Sequence, residues 1–458
     1  MIEAMRSELV RIFTLGLTGF DTPGSLHALE EATVALSTLQ TSSQAFLKLT
    51  DDNKASQVDC LYHQAITALK KADDFDNFDR LHFLRNYVNP LYHELQSLKD
   101  KDESLRKKPS GRNTASTNLF AKNFLDPYHF TELNPSADSE ALRKLGEKLF
   151  YDPLLSASGN MSCASCHNPS LAFTDGKAKS LSNVVGQKVQ RNAPTLLNAV
   201  YSDRYFYDLR AFSLEQQAEH VIFNHEEFNT AYEEILPKLK TDKEYQGIFK
   251  EVFGRRQLTR KNFSEALVSY VMSLQSFNSP FDQYVRGEVN EIKPKVKTGF
   301  NLFMGKAACG TCHFPPTFSG LVPPLYVKNE SEILGVVENP RAWKKELDPD
   351  WGRYSNQIQS EQAWIYERSF KTTTVRNIEV TAPYFHNGAY QTLEQLVNFY
   401  DHGGGAGLGL VVKNQTLASD SLHLSSDEKE ALIAFMKSLT DTSGYQASKG
   451  RTLSSRAD

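Results

Sequence analysis

The stretch Cys163-Ala164-Ser165-Cys166-His167 decides how this sequence is interpreted, and it returns once as Cys309-Gly310-Thr311-Cys312-His313. Two thiols at this spacing can form thioether bonds to the two vinyl groups of one haem, and the histidine that follows can ligate the iron. Four of the five cysteines of the chain lie in these motifs. We therefore expect two covalently bound haem c groups, held by Cys163, Cys166, Cys309 and Cys312, with His167 and His313 as iron ligands.

Zinc is the alternative cofactor for paired Cys-x-x-Cys motifs, because four thiolates can surround one ion. The two motifs lie too far apart in the chain for a compact zinc ribbon, and a histidine follows the second cysteine both times. Haem attachment is therefore favoured. The fifth cysteine, Cys60, stands in an apolar helical context and is expected to be a buried, inert thiol.

The composition excludes several classes of function. The 458 residues carry a net charge of −4 with mixed signs, which favours neither nucleic acid nor an anionic membrane surface as a partner. No apolar run reaches the roughly 18 residues that suggest a membrane span, and the first residues lack the features of a secretory signal. Because c-type haem is normally attached outside the cytoplasmic membrane, we expect a periplasmic protein whose export signal is missing from this sequence.

Helical periodicity and composition divide the chain into five parts, and the expected fold class is mainly α. Residues 1–110 predict an extra all-helical N-terminal domain of unknown role. Polar composition predicts a linker over residues 111–136. Two cytochrome c-like haem domains are expected over residues 137–290 and 291–445, and a flexible tail over 446–458.

An internal repeat relates the two haem segments beyond the motif itself. Each motif is followed by an Arg-Asn pair, Arg191-Asn192 or Arg376-Asn377, and then by a Ser/Thr-Leu-Glu-Gln box, Ser213–Gln216 or Thr392–Gln395. A Ser or Thr with Gln three residues later is typical of a helix start. A duplicated haem domain, with an equivalent helix in each half, is the economical explanation.

The register of this repeat makes the two haem sites unequal. Tyr400 and Val221 occupy the same position after their boxes, so the second iron can take a phenolate ligand, whereas the first iron stays open. An open iron indicates an enzyme rather than an electron carrier. By periodicity alone, however, Tyr400 is an ordinary aromatic residue of a helix face. A base near the open iron would suit peroxide cleavage, and the residues alone do not choose between Glu226 and Glu227.

The sequence resembles the bacterial dihaem cytochrome c peroxidase and MauG family from about residue 145 to residue 439. The helical N-terminal hundred residues lie outside this resemblance. The motifs that carry it are Leu-Gly-Glu-Lys-Leu-Phe-Tyr-Asp-Pro (145–153), the first haem motif, Phe-Thr-Asp-Gly (173–176), Arg-Asn-Ala-Pro-Thr-Leu (191–196), Ser-Leu-Glu-Gln-Gln-Ala (213–218) and Thr-Ala-Pro-Tyr-Phe-His-Asn-Gly (381–388).

The resemblance implies a role for several residues by position. Gln217 falls on the distal-pocket glutamine of the family and Glu227 on its catalytic glutamate. A calcium ion between the haem domains is implied at Asn192, Thr381 and Pro383, the last two through backbone oxygens. The implied partners are hydrogen peroxide and a small redox protein such as a cytochrome c or a cupredoxin, with a homodimer as one option for assembly.

Four features depart from the pattern of typical peroxidases in this family. Residues 168–190 contain no histidine, so the first haem should be ready without prior reduction. Tyr400 stands where typical peroxidases have methionine, as in MauG. Tyr207 replaces the tryptophan between the haems and is expected to be the electron relay. His220 replaces a small residue and could reach and block the first iron.

The expected function is that of a dihaem c-type peroxidase that reduces hydrogen peroxide to water. One alternative is a MauG-like oxidase that modifies a partner protein, with the N-terminal helices as a docking module. The alternative from another class is a non-catalytic dihaem electron-transfer protein, in which both irons have six ligands.

Overall fold

A computed structural model describes residues 1–25, 27–47, 52–97, 110–254 and 258–443. Helices make up almost all the regular structure of these ranges, so the expected mainly α fold is confirmed. The strands found there are β1 (Ser331–Glu332) and β2 (Phe370–Lys371), which pair antiparallel with Ser331 opposite Lys371. No described helix has both the length and the apolar composition needed to cross a bilayer. The predicted tail, 446–458, lies outside the described residues.

The first part of the chain forms a helical layer. Its helices are α1 (Ile2–Arg11), α2 (Ala28–Leu47), α3 (Asp52–Lys70), α4 (Arg80–Phe83) and α5 (Asn89–Ser97). Helices α1 and α4 each continue into a π-helical turn, Ile12–Gly16 and Leu84–Val88. The buried apolar residues of this layer are continuous with the core of the rest of the described chain, so the layer is packed onto the protein.

The first haem motif lies among a second group of helices. These are α6 (Glu140–Tyr151), α7 (Cys163–Cys166), α8 (Leu214–Phe223), α9 (Tyr232–Thr241), α10 (Lys243–Phe253) and α11 (Arg260–Met272). Helix α8 starts at Ser213, whose hydroxyl accepts a hydrogen bond from the backbone N–H of Gln216. The predicted helix start is therefore confirmed.

The second haem motif lies among a matching group. Its helices are α12 (Pro280–Val285), α13 (Pro294–Met304), α14 (Leu393–Asp401), α15 (Gly404–Gly407) and α16 (Ser426–Ser438). Thr392 caps α14 as Ser213 caps α8, through the N–H of Gln395. A Cβ on Gly146 of α6 would overlap the carbonyl oxygen of Ala266 in α11, and a Cβ on Gly299 of α13 would overlap that of Ala431 in α16. Both halves therefore repeat the same close helix crossing.

Residues 111–136 are packed, in contrast to the linker expected from their composition. Arg112, Phe120 and Phe124 are buried, and the N–H of Gly111 donates to the carbonyl oxygen of Leu325. The ring of Phe124 meets that of Tyr326 edge-on at 5.6 Å. This segment therefore ties the helical layer to the second half of the protein, because its aromatic residues find partners far away in the sequence.

The prediction that Cys60 is buried is wrong, because its side chain is exposed on α3. The buried face of this helix carries Val58, Tyr62, Ala65 and Leu69, which follow one another at helical spacing. Cys60 lies off that face, and its sulfur accepts a hydrogen bond from Gln64 instead.

Candidate active site

One cavity of about 1330 Å³ contains both haem motifs. The motif cysteines and histidines that line it are Cys166, His167, Cys309, Cys312 and His313. Cys163 lies on the short helix α7 with Cys166 and is partly buried. The cavity is larger than the roughly 300–1,000 Å³ of ordinary small-molecule sites, as a site for two prosthetic groups would be.

Both motif histidines have Nδ1 turned towards a backbone carbonyl oxygen. The Nδ1 of His167 lies 3.1 Å from the carbonyl oxygen of Phe173, and the Nδ1 of His313 lies 3.3 Å from that of Phe318. With Nδ1–H donating to a carbonyl, the lone pair of Nε2 is free for a metal. Burial lowers the pKa of His167 and lowers that of His313 to about 4, so both imidazoles are neutral. Together with the free cysteines, this donor set fits two c-type haems.

Helix α8 provides one wall of the first haem site. Gln217, Val221 and Asn224 lie at positions i, i+4 and i+7 of one helix face, and all three line the cavity. His220 lies at the edge of this face, one turn after Gln217, and does not line the cavity. Its ring packs against Phe206 at 5.8 Å instead. Val221 therefore leaves this part of the site without a ligand, and the arrangement gives no support for His220 on the iron.

The two neighbouring glutamates that follow α8 differ in environment. Both line the cavity, but burial raises the pKa of Glu227, and Asn224 Nδ2 donates to Glu227 Oε2 at 2.7 Å. The backbone carbonyl of Glu226 accepts from the N–H of Asn183 and the hydroxyl of Ser182, which fixes the loop. The fold thus distinguishes the buried, hydrogen-bonded carboxyl group of Glu227 from that of Glu226, a difference that residue types alone left open.

Tyr400 lines the cavity from α14, as the repeat register predicts. Burial raises the pKa of its phenol, and the thiols of Cys309 and Cys312 raise it further. The hydroxyl therefore lies close to the second motif. A bound metal would oppose this shift, because it stabilises the ionised form of its ligand.

A pair of carboxyl groups near the second motif is absent from the sequence predictions. Glu330 and Glu332 line the cavity, and burial together with repulsion from Glu332 raises the pKa of Glu330 to about 7. Both belong to the segment around β1, and no sequence motif marks them. The alternation Glu330-Ser331-Glu332, with both glutamates on one side of a strand, is the signal that could have found them.

Tyr207 and the predicted calcium residues belong to the same cavity as the two motifs. Asn192, Tyr207, Thr381 and Pro383 all line the cavity. The hydroxyl of Tyr207 donates to Asn192 Oδ1 over 3.4 Å, a long hydrogen bond. This amide oxygen therefore keeps capacity for a cation, and an oxygen-rich donor set suits calcium.

Next to Tyr207, a buried network of charges joins the two halves. Arg191 forms ion pairs with Asp208 and Asp350. Burial would raise the pKa of Asp348, but hydrogen bonds from His386 and Asn387 hold it well below its usual range. Asp348, Asp350 and His386 are close enough to hold a metal ion. Their partners are already side chains of the protein, so we interpret them as structural.

Comparisons with known proteins identify relatives of this chain. The family described as di-haem cytochrome c peroxidase matches residues 140–290. Cytochrome-c peroxidase IdrP1 of Pseudomonas sp. (strain SCT) is 32% identical over 335 residues, which cover 69% of this chain and 84% of that protein. Methylamine utilization protein MauG of Methylorubrum extorquens is 31% identical over 301 residues, 64% of this chain and 77% of that protein.

A solved structure of a related protein also resembles this chain. The crystal structure of a MauG-like protein associated with microbial copper homeostasis matches with a TM-score of 0.58 at 26% identity, covering 69% of this chain and 94% of that one. The motifs, the cavity and the sequence relatives lead to one conclusion. The chain belongs to the family of dihaem cytochrome c peroxidases and MauG proteins.

Proposed function

We propose that this protein is a periplasmic dihaem c-type peroxidase, which reduces hydrogen peroxide with electrons from a small redox protein such as a cytochrome c or a cupredoxin. The balance is one peroxide, two electrons and two protons giving two waters. The observation that carries the proposal is the asymmetry of the cavity. Its first haem site has Val221 and the buried carboxyl of Glu227, whereas its second has the phenol of Tyr400.

The proposed arrangement has two cytochrome c-like haem domains, 137–290 and 291–445, behind the helical region 1–110. The haems, when bound, supply the iron that binds peroxide and the redox equivalents that reduce it. His167 and His313 would each hold the iron of one haem, and Tyr400 would offer a further ligand at the second site. Calcium at Asn192, Thr381 and Pro383 would hold the halves together.

The side chains of the first site perform the proton transfer. The Glu227 carboxylate takes a proton from one peroxide oxygen and delivers it to the other, which leaves as water. Asn224 engages Oε2, so we assign the transfer to Oε1. The amide of Gln217, one turn before Val221, orients the peroxide oxygens. The apolar side chain of Val221 has no ligand atom, so it leaves this position of the site open for peroxide.

Tyr207 is the proposed electron relay between the sites. Its aromatic ring would carry the electron without release of the phenolic proton. A tyrosyl radical needs a base for the phenolic proton. Among the described residues, the group that accepts a hydrogen bond from this hydroxyl is the Asn192 amide oxygen, which is not a base. Burial also raises the pKa of Tyr207. We therefore expect the aromatic side chain to carry electrons between the haem sites without becoming a stable radical.

Electron paramagnetic resonance of the as-isolated ferric holoprotein tests the proposal. We expect a high-spin signal from the first haem, which decreases when hydrogen peroxide is added. A ferric spectrum without a high-spin component, unchanged by peroxide, would contradict the proposal and support the electron carrier.

A MauG-like oxidase is the second candidate, favoured by Tyr400 in place of methionine and by the similarity to MauG proteins. In this case the oxidising equivalents would be used on a partner protein. Turnover of peroxide with small electron donors would then be slow compared with oxidation of the partner, whereas a peroxidase turns over steadily with a reduced cytochrome c.

A further inference from the structure

The N-terminal helical layer reaches the second haem site. Six of its residues line the cavity beside the second motif: Thr18, Gly19, Phe20, Pro23, Phe75 and Asp76. We call these six residues the N-terminal wall. Thr18 and Gly19 are buried, whereas Phe20, Pro23 and Asp76 are exposed. The wall therefore extends from the interior of the cavity to its rim, on the side where residues 305–309 also line it.

Two glycines of the second motif region permit a close approach of this wall. A Cβ on Gly310 would lie 3.1 Å from the Thr18 methyl carbon, tighter than normal packing. A Cβ on Gly305 would lie 2.6 Å from a guanidinium nitrogen of Arg80. The ring of Phe20 meets that of Phe314, the residue after His313, edge-on at 5.7 Å. The haem-binding loop is thus shaped to accept the wall.

Arg80 joins the two segments of the wall from behind. Its buried guanidinium donates to the carbonyl oxygens of Leu17, Phe75 and Phe78. Burial lowers its pKa to about 10, so it remains charged at neutral pH. A buried cation that satisfies three backbone carbonyls fixes both segments relative to each other, since removing it would leave these oxygens without partners.

Helix α4 fixes the wall to the second half of the protein. The N–H of Leu81 donates to Asn301 Oδ1, and Asn301 Nδ2 donates to Asp79 Oδ1. Lys297 forms an ion pair with Asp79 at 2.7 Å. Both partners lie on α13, the helix that leads into the second motif. The wall is therefore attached to the element that positions the haem-binding loop.

We propose that the N-terminal wall is a built-in cap of the second haem site. It supplies contacts to the haem on the side of residues 305–309, and it keeps a protein electron donor from that edge while leaving the rim at Asp76 open to small reductants. This inference rests on the proposed dihaem function and assigns a role to the helical layer. Water admitted at this edge would favour the more highly charged oxidised haem.

The first test measures the midpoint potential of each haem in the holoprotein carrying Phe20→Ala. We expect the potential of the second haem to fall and that of the first to stay unchanged, because Phe20 packs beside the second motif alone. Val34→Ala is the control, since Val34 is an exposed apolar residue of α2 that does not line the cavity. An unchanged midpoint potential of the second haem in Phe20→Ala, or an equal shift of that potential in Val34→Ala, would overturn the proposed cap.

The second test compares two reductants on Asp76→Lys. At low ionic strength, ascorbate, an anion, should reduce the second haem several-fold faster, and added salt should abolish the gain. Reduction by a cytochrome c should keep its rate, because the cap excludes a protein from this edge. Glu30→Lys is the control, because it makes the same charge change at an exposed position of α2. A cytochrome c rate that changes as much as the ascorbate rate would overturn the exclusion.

These outcomes are separate from those of the peroxidase proposal. If the holoprotein does not react with peroxide but Phe20→Ala shifts the potential of the second haem, the peroxidase proposal is contradicted and the cap is supported. A holoprotein that reacts with peroxide but shows no shift would do the reverse.

Discussion

Glu226 and Glu227 show how the environment distinguishes two identical side chains. Glu227 is buried and receives a hydrogen bond from Asn224, whereas Glu226 contributes its backbone carbonyl to the loop that faces Ser182. Proton transfer needs a carboxyl group that is held in place and has a pKa closer to neutrality. The two residues therefore form a matched pair for mutation.

Glu227→Gln should lower kcat/KM for peroxide by about 10²–10⁴-fold, the usual contribution of a general acid–base group. Glu226→Gln should leave it nearly unchanged, because its backbone contacts persist. Stopped-flow measurement of peroxide consumption by the holoprotein checks both. Similar losses in the two variants would show that general charge, and not one carboxylate, is required.

The pH profile should also depend on Asn224. Glu227 acts as a base when ionised, and burial raises its pKa. Activity should therefore fall on acidification at a pH above the ~4.3 of an ordinary glutamate. Asn224→Ala removes a hydrogen bond that lowers this pKa, so it should move the acidic limb of kcat/KM to higher pH. A limb that stays in place would exclude Glu227 as the titrating group.

At the scale of elements, each half contains a helix pair that crosses at a glycine. Gly146 of α6 faces Ala266 of α11, and Gly299 of α13 faces Ala431 of α16. Helices approach this closely only where no Cβ intervenes. Because the haem motifs follow α6 and α13, these crossings set the position of both haem-binding loops.

Gly146→Ala and Gly299→Ala should each lower the free energy of unfolding by at least ~1–3 kcal/mol, the usual cost of overpacking. Gly247→Ala is the control, because Gly247 lies in α10 with open space around it. That change should stabilise the protein by roughly 0.5–1 kcal/mol through helix propensity. Denaturant unfolding of the three variants measures the difference, and equal effects would contradict a steric role.

At the scale of the whole molecule, Tyr207 lies at the junction of the two halves. Its backbone carbonyl accepts from the N–H of Lys371 in β2, and its ring lies 6.4 Å from that of His386. Since its hydroxyl faces the Asn192 amide, Tyr207→Phe should leave the electron-transfer rate between the haems nearly unchanged. Tyr207→Ala should slow it. Flash reduction followed at both haem bands measures this rate, and a large loss in Tyr207→Phe would show that the phenolic proton takes part.

Local motifs made some of this molecule predictable from sequence. The two haem motifs and the caps Ser213 and Thr392 depend on residues within a few positions of each other, so pattern was sufficient to find them. Residue types alone did not distinguish Glu227 from Glu226; the resemblance to the family indicated Glu227, and the burial and the Asn224 hydrogen bond that set it apart appear only in the fold. The packed segment 111–136 depends on contacts with residues some two hundred positions away, which composition does not encode.

The contact between Leu81 and Asn301 spans 220 positions of the chain. The helical layer therefore cannot complete its packing until the chain as far as Asn301 has folded. Contacts of such long sequence separation form slowly. Until then the loop that carries Cys309 and Cys312 lacks its contacts with the N-terminal wall, so we expect both thiols to be more accessible before the helical layer packs than after it.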